Sequence, residues 1–430
     1  MIEPKISSHF EDRQPSSIRQ AQIKFSERND KEKTKVINLA IGNVSLPIHP
    51  SMKKRLENLK LDESFSSGKV PYTSTVGLIE TRKAFLNVLA ALEIDTSQLF
   101  VNITDGGSSS MEIMMLGVCG PSSERPIMLL DPSYTNYLEF AKRLRIPVVT
   151  VEREINNDGT FAPLDFRKIE KNIKEYRPAA LVIIPYDNPT GQFFDQSTVN
   201  RIAEICIEHG VWLISDEAYR PLMYTNDTPS SIWKVSLKNI PDNYHYRISI
   251  ESASKVWNAC GLRIGGIITD SYEFHKKAVS EYTANLCANT IGQYVFGALA
   301  NETHDEIQNW FSRQTLYYKN LFHLIKDSLM KELPGIIVSE PEASIYCVID
   351  FKNISNSDFD SEVFVNYCAE KGSVKIDGGY YTVLLAPMKG FYRNHHIGKT
   401  QVRLALVENS ELLKITPIII SSLFKTFSSM

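Results

Sequence analysis

The sequence has no two cysteines spaced C-x-x-C, and no cysteines placed with histidines at a metal-ligand spacing. Its six cysteines (119, 206, 260, 287, 347 and 368) are scattered along 430 residues. That pattern argues against a zinc site and predicts reduced, mostly buried thiols in a cytoplasmic protein. No apolar run approaches the ~20 residues needed to span a bilayer. The opening Met1-Ile2-Glu3-Pro4-Lys5 lacks the apolar segment of a secretory signal, so none is expected. An excess of one charge is also missing: the formal net charge is −3, with Lys and Arg spread along the chain. Neither a nucleic acid nor a membrane surface is therefore expected as a partner. Internal repeats and low-complexity tracts are absent.

What is present reads as a globular protein, with 43% hydrophobic and 23% charged residues. The length is too great for one ordinary core and predicts a large domain with a smaller one. Short apolar runs at 127–130, 148–151, 181–184, 211–214, 248–250 and 264–268 are bounded by Pro, Gly, Asp or Ser, with amphipathic stretches such as 199–208 between several of them. Fully apolar strands alternating with helices predict a mostly parallel sheet covered on both faces, the α/β layer architecture. A long helix is written at Ile307, Trp310, Phe311, Gln314, Tyr318, Leu321, Ile325 and Leu329, and Leu333-Pro334-Gly335 ends it. Beyond it, apolar segments at 336–338, 344–351 and 402–406 predict a smaller α+β unit. The expected division is an arm at 1–40, exposed and acting as a lid or as part of the smaller domain, a large domain at 41–325 and a small domain at 326–430.

Ligands in open α/β sheets sit beyond the strand ends, and there the sequence places an ordered polar series. It runs Gly106-Gly107-Ser108, Pro132-Ser133-Tyr134, Asn188-Pro189-Thr190-Gly191, Asp216-Glu217-Ala218-Tyr219, Ser252-Ala253-Ser254-Lys255 and Gly261-Leu262-Arg263-Ile264-Gly265. Each member has a plain alternative. Lys255 is either a solvated lysine or a desolvated amine competent for Schiff-base chemistry. Ser252 and Arg263 flank it as a hydroxyl and a guanidinium suited to a phosphate dianion. The two glycines either open a helix or let backbone N–H groups approach an anion. Asp216 is either a helix cap or the partner of a protonated ring nitrogen; Asn188 sits in a turn that reads as structural on its own; Tyr134 is either a core aromatic or a ring-stacking one.

Taken together, from about residue 41 to 406, the series resembles the class I/II aminotransferases of pyridoxal 5′-phosphate (PLP) fold type I. The order and approximate spacing of Tyr134, Asn188, Asp216 and Lys255 are reproduced. The resemblance implies a large PLP-binding domain whose central sheet is sandwiched by helices. It implies that Lys255 forms the Schiff base and acts as general base, Asp216 holds the pyridinium, and Asn188 and Tyr219 hold the ring oxygen. Tyr134 would stack on the ring, and Gly107, Ser108, Ser252 and Arg263 would hold the phosphate. Arg403, in Gln401-Val402-Arg403-Leu404, would clamp the substrate α-carboxylate opposite Gly42. Tyr72 would reach the phosphate of the neighbouring subunit, making a homodimer with shared sites. The implied activity moves an amino group between an L-amino acid and a 2-oxo acid by a ping-pong path, with no metal.

Two departures bear on specificity. Asp187 stands where the family often has asparagine. No arginine lies between Arg263 and Arg313, so the second arginine that some dicarboxylate-specific relatives lend from the partner subunit has no counterpart. Other candidate readers of a side-chain carboxylate are Arg13, Arg19 and Arg28 in the arm and Lys389, Arg393, His395 and His396 in the loop 378–399, each of them otherwise solvated surface charge. Aspartate- or glutamate-type substrates are the leading expectation. The same cofactor motifs also suit a lyase or synthase acting at Cβ or Cγ, which would not form a 2-oxo acid stoichiometrically with the aminated cofactor. A PLP-sensing regulatory domain would need an N-terminal DNA-binding unit, for which residues 1–40 leave no room.

Overall fold

The computed structural model describes residues 3–59, 65, 68–235 and 244–430; Met1 and Ile2 of the polar opening lie outside these. Its centre is a seven-stranded sheet built from β2 (Phe100–Asp105), β3 (Ile127–Asp131), β4 (Val148–Glu152), β5 (Ala180–Ile183), β6 (Trp212–Asp216), β7 (Arg247–Ser252) and β8 (Ile264–Thr269), in the spatial order β2-β8-β7-β6-β5-β3-β4. Only β8 runs antiparallel to its neighbours β7 and β2. Every residue of β3, β5 and β8 is buried, as expected for strands covered on both faces.

Side-chain alternation divides these strands between two cores. Ile127, Leu129, Ala180, Val182, Ile214 and Ile250 meet helices α2 (Gly106–Val118), α3 (Thr135–Leu144) and α6 (Tyr272–Tyr282). Met128, Leu130, Leu181, Ile183 and Leu213 meet α4 (Phe166–Tyr176) and α5 (Gln196–His209) on the opposite face. The expected α/β sandwich is what forms.

The expected long helix is α7 (His304–Glu332), capped by the Thr303 hydroxyl and buried along the Ile307-Trp310-Phe311-Gln314-Tyr318 stripe. It leads into a four-stranded sheet of β9 (Ile337–Val338), β10 (Tyr346–Asp350), β13 (Ala386–Pro387) and β14 (Gln401–Ala405). A second small sheet joins the chain's two ends: β1 (Thr34–Asn38) runs parallel to β12 (Gly379–Leu384), which pairs with β11 (Val374–Ile376).

The exposed arm expected at the N-terminus is in part a packed element. Helix α1 (Ser17–Glu27) lies on α8 (Ser361–Glu370), with Ala21 fully buried and Lys24 paired with Glu370 at 2.6 Å. Arg28 is buried after it, its guanidinium bound to Asp30 and to the carbonyls of Cys368, Ala369 and Gly372. Charge along this segment masked the packing, because the polar heads of long side chains stay wet while their stems cover apolar surface.

Candidate active site

Because β8 is antiparallel, its start lies at the same sheet edge as the ends of β2, β3, β5, β6 and β7. Gly107, Ser108, Tyr134, Asn188, Asp216, Tyr219, Ser252, Lys255 and Arg263 all reach this edge and line one cavity of about 450 Å³. Gly42 and Arg403 close it from the side of the small sheets. Of the residues that the resemblance assigned to cofactor or substrate, Tyr72 alone does not line it and stands 75% exposed.

Asp216 ends β6 with its carboxylate buried. It accepts from the Tyr137 hydroxyl at 3.0 Å and from the Ala218 N–H at 3.2 Å. Burial pushes its pKa up to about 6 despite these two donors, and no ion pair to it forms among the described residues. A buried acid that lacks a cation is complementary to a ligand carrying N–H⁺. Tyr137 was not singled out from sequence; it follows Tyr134 by three residues, and α3 turns its phenol under the cavity floor.

The far wall is a closed ring of side chains. Arg403 Nη1 donates to Asn188 Oδ1 at 2.8 Å, and Asn188 Nδ2 donates to the Tyr219 hydroxyl at 3.3 Å. The Tyr219 and Tyr346 hydroxyls are 2.9 Å apart, and the Tyr346 ring lies 4.2 Å beneath the Arg403 guanidinium. Arg403 also donates to the Ala40 carbonyl at 2.6 Å, while its buried Nε has no partner among the described residues. Burial, then the neighbouring Tyr346, raises the Tyr219 phenol well above its usual value. Lys255 Nζ donates to the Gly42 carbonyl. A side chain at Gly42 would collide with the Tyr346 hydroxyl and crowd Lys255, so this close approach requires glycine.

At the opposite end, Gly106 adopts φ +74°, and a Cβ there would strike the Arg263 guanidinium. Arg263 donates to the Cys260 carbonyl at 3.2 Å and meets that of Asp105 at 3.5 Å, with no carboxylate partner among the described residues. The first turn of α2 and this guanidinium thus form an anion cradle.

Asp187 is buried against Arg153 at 2.9 Å rather than aimed into the cavity. Arg153 also reaches the carbonyls of Leu130 and Pro132, each at 3.3 Å, and Gln192 at 2.8 Å. One buried guanidinium therefore ties the segment before Tyr134 to the turn that carries Asn188. The other sequence-derived cations are mostly committed: Arg13 to Glu139 at 2.7 Å, Arg28 as described, and Lys389 to Asp360 at 2.5 Å. Arg393, His395 and His396 do not line the cavity, whereas Arg19 does.

Residues 34–394 match the sequence profile of the family Aminotransferase class I and II. The chain belongs to the class I and II aminotransferases. An aspartate aminotransferase of Sulfurisphaera tokodaii is 27% identical over 363 residues, covering 81% of this chain and 83% of that one. One from Pyrococcus horikoshii is 28% identical, covering 80% and 82%. Among solved structures, the putative kynurenine aminotransferase Bna3p of Saccharomyces cerevisiae superposes with a TM-score of 0.80 at 18% identity, covering 98% of this chain and all of that one. A Thermus thermophilus aspartate aminotransferase mutant gives 0.79 at 20% identity, with the same coverage. The fold is shared with both. This aminotransferase is thus an enzyme, a transaminase, and its family implies dependence on PLP.

Proposed function

We propose that this transaminase holds PLP on Lys255 and exchanges amino groups between dicarboxylic L-amino acids of the aspartate/glutamate type and 2-oxo acids. The observation that carries this reading is the presence of unmatched charges across one cavity: among the described residues, a buried carboxylate at Asp216 has no cation, and the guanidinium groups of Arg263 and Arg403 have no carboxylates. A cofactor with a basic ring nitrogen at one end and a phosphate at the other, together with a substrate carboxylate, fits that donor set. In this reading Gly107, Ser108, Ser252 and Arg263 hold the phosphate. Tyr134 covers a ring face, and Asn188 and Tyr219 donate to the phenolic oxygen.

When bound, the cofactor supplies an electron sink for the charge left at Cα. The chain's residues supply the rest. Asp216 keeps a proton on the pyridine nitrogen, where protein burial has already made the bare carboxylate unfavourable. Arg403 takes the α-carboxylate in a forked pair beside Gly42, which orients the Cα–H bond toward Lys255. Lys255 Nζ, freed when the substrate amine takes its place on the cofactor, would remove that proton and return it to the carbon on the far side of the shared nitrogen, so one base would serve both transfers. The second substrate reverses the sequence, giving ping-pong kinetics.

The domain division at 41–325 and 326–430, with 1–40 joined to the smaller unit, is part of this reading and is supported by the pairing of β1 with β12. So is a cytoplasmic homodimer in which the exposed Tyr72 serves the neighbouring site. The test is a single half-reaction with glutamate. Stoichiometric 2-oxoglutarate and loss of the cofactor's visible absorption are expected. No 2-oxoglutarate and an unchanged absorption would overturn the reading for glutamate.

A further inference from the structure

The cavity carries more positive charge than the reaction centre uses. Among the described residues its cationic side chains are Arg19, Lys255, Arg263 and Arg403, and its one carboxylate is Asp216. In the proposed function Lys255 and Arg263 face the cofactor and Arg403 the α-carboxylate. Arg19 has no assignment.

Arg19 stands in the first turn of α1, a helix of the chain's N-terminal segment that rests on α8, far along the chain from every other cationic residue of the cavity. The first turn brings Ser16, Ile18 and Arg19 to the cavity mouth, beside Thr135 and Asn136 at the start of α3. The placement is braced at both ends. Before the helix, Arg13 reaches across to Glu139 of α3 at 2.7 Å; after it, buried Arg28 is bound to three carbonyls around the end of α8. The neighbouring cations Arg13 and Arg28 are therefore occupied in holding the helix. Among the described residues the Arg19 guanidinium donates only to the neutral Gln22 Oε1, at 2.7 Å on the same helix, and pairs with no carboxylate.

We infer that Arg19 is a specificity-determining residue that pairs with the distal carboxylate of a dicarboxylic substrate whose α-carboxylate is held by Arg403. This rests on the transaminase reading above and supplies its substrate class with a residue. A guanidinium matches a carboxylate with two parallel N–H donors, and a neutral side chain forfeits that pairing. A basic substrate side chain is repelled. An uncharged one leaves Arg19 to water, so neutral amino acids are disfavoured rather than excluded.

The test compares L-glutamate with its neutral near-isostere L-glutamine in the half-reaction of the holoenzyme, for the wild type, Arg19→Gln and Arg19→Lys. The wild type is expected to favour glutamate. Arg19→Gln should lower the ratio of kcat/KM for glutamate over glutamine by about tenfold or more, the worth of a charge-assisted pair, and Arg19→Lys by less. Calorimetric binding of glutarate against butyrate should show the same loss without turnover. If the wild type prefers glutamate and Arg19→Gln keeps that ratio, the assignment of Arg19 is overturned while the dicarboxylate reading stands. If the wild type does not prefer glutamate to glutamine, the substrate class and Arg19 fall together. Equal losses for both substrates would mark Arg19 as structural and also overturn the inference.

Discussion

The two walls of the cavity are made differently. The wall formed by the sheet edge is contiguous in sequence: each strand delivers its polar residues within a few positions of its end, as Asp216 and Tyr219 do after β6 and Ser252 and Lys255 after β7. The opposite wall is assembled from the chain's extremes, with Arg19, Ala40 and Gly42 from one end and Tyr346 and Arg403 from the other. In the proposed function the sheet wall supplies the base, the acid and the phosphate cradle. In that reading the composite wall meets the substrate, with Arg403 at the α-carboxylate and Arg19 at the distal one.

The sharpest way to separate the walls is to break one member of each. Lys255→Ala removes the base and should lower turnover by more than about 10³-fold, with loss of the visible absorption; near-normal turnover would end the proposed mechanism. Arg153→Met tests the frame of the sheet wall. It leaves Asp187 buried without its cation and should cost about 3–5 kcal/mol, seen as a lower melting temperature and weaker cofactor retention. A change within error would mean the pair does not hold the Tyr134 and Asn188 segments. On the composite wall, Arg403→Ala should lower kcat/KM for amino acids about a hundredfold, chiefly through KM, because the forked contact to the α-carboxylate is lost. An unchanged KM would remove Arg403 from that role.

A smaller effect concerns Asp216 in the cofactor-free protein. Its folded-state pKa of about 6 lies above its unfolded value, so the protonated form is favoured on folding. The stability it contributes is complete below roughly pH 4 and is lost as pH rises through about 6. Asp216→Asn should therefore stabilise the cofactor-free protein by about 2–3 kcal/mol at neutral pH and hardly at all near pH 4, a trend that melting curves across pH would show. In the loaded enzyme the order should reverse, since asparagine cannot hold the ring proton. Last, mixing Tyr72→Ala with Lys255→Ala subunits should recover activity that neither variant has in full. No recovery after subunit exchange would argue against a shared site.

How far the sequence could be read depended on whether a residue's partners lie close along the chain. The helix α7 was legible because its buried stripe repeats every three or four positions, and Leu333-Pro334-Gly335 stops it. The strands were legible because burial on both faces leaves them uniformly apolar. Tyr137 was missed although it lies one helical turn beyond Tyr134, since a tyrosine in a helix carries no mark of the acid it faces. Tyr346 was missed for a stronger reason: its hydroxyl meets Tyr219 across 127 positions. Asp187 was ambiguous until its partner Arg153 was seen, and helix α1 looked exposed because its buried contacts are few.

By itself, then, the sequence determined the α/β architecture, the family and the order of polar residues along the sheet edge. These follow from periodicity and from motifs whose members are local. The tertiary structure alone decided which charges are spent on one another and which remain free. Pairing depends on distance in space, so only folding could show Arg13, Arg28, Arg153 and Lys389 engaged elsewhere and leave Arg19 facing the cavity.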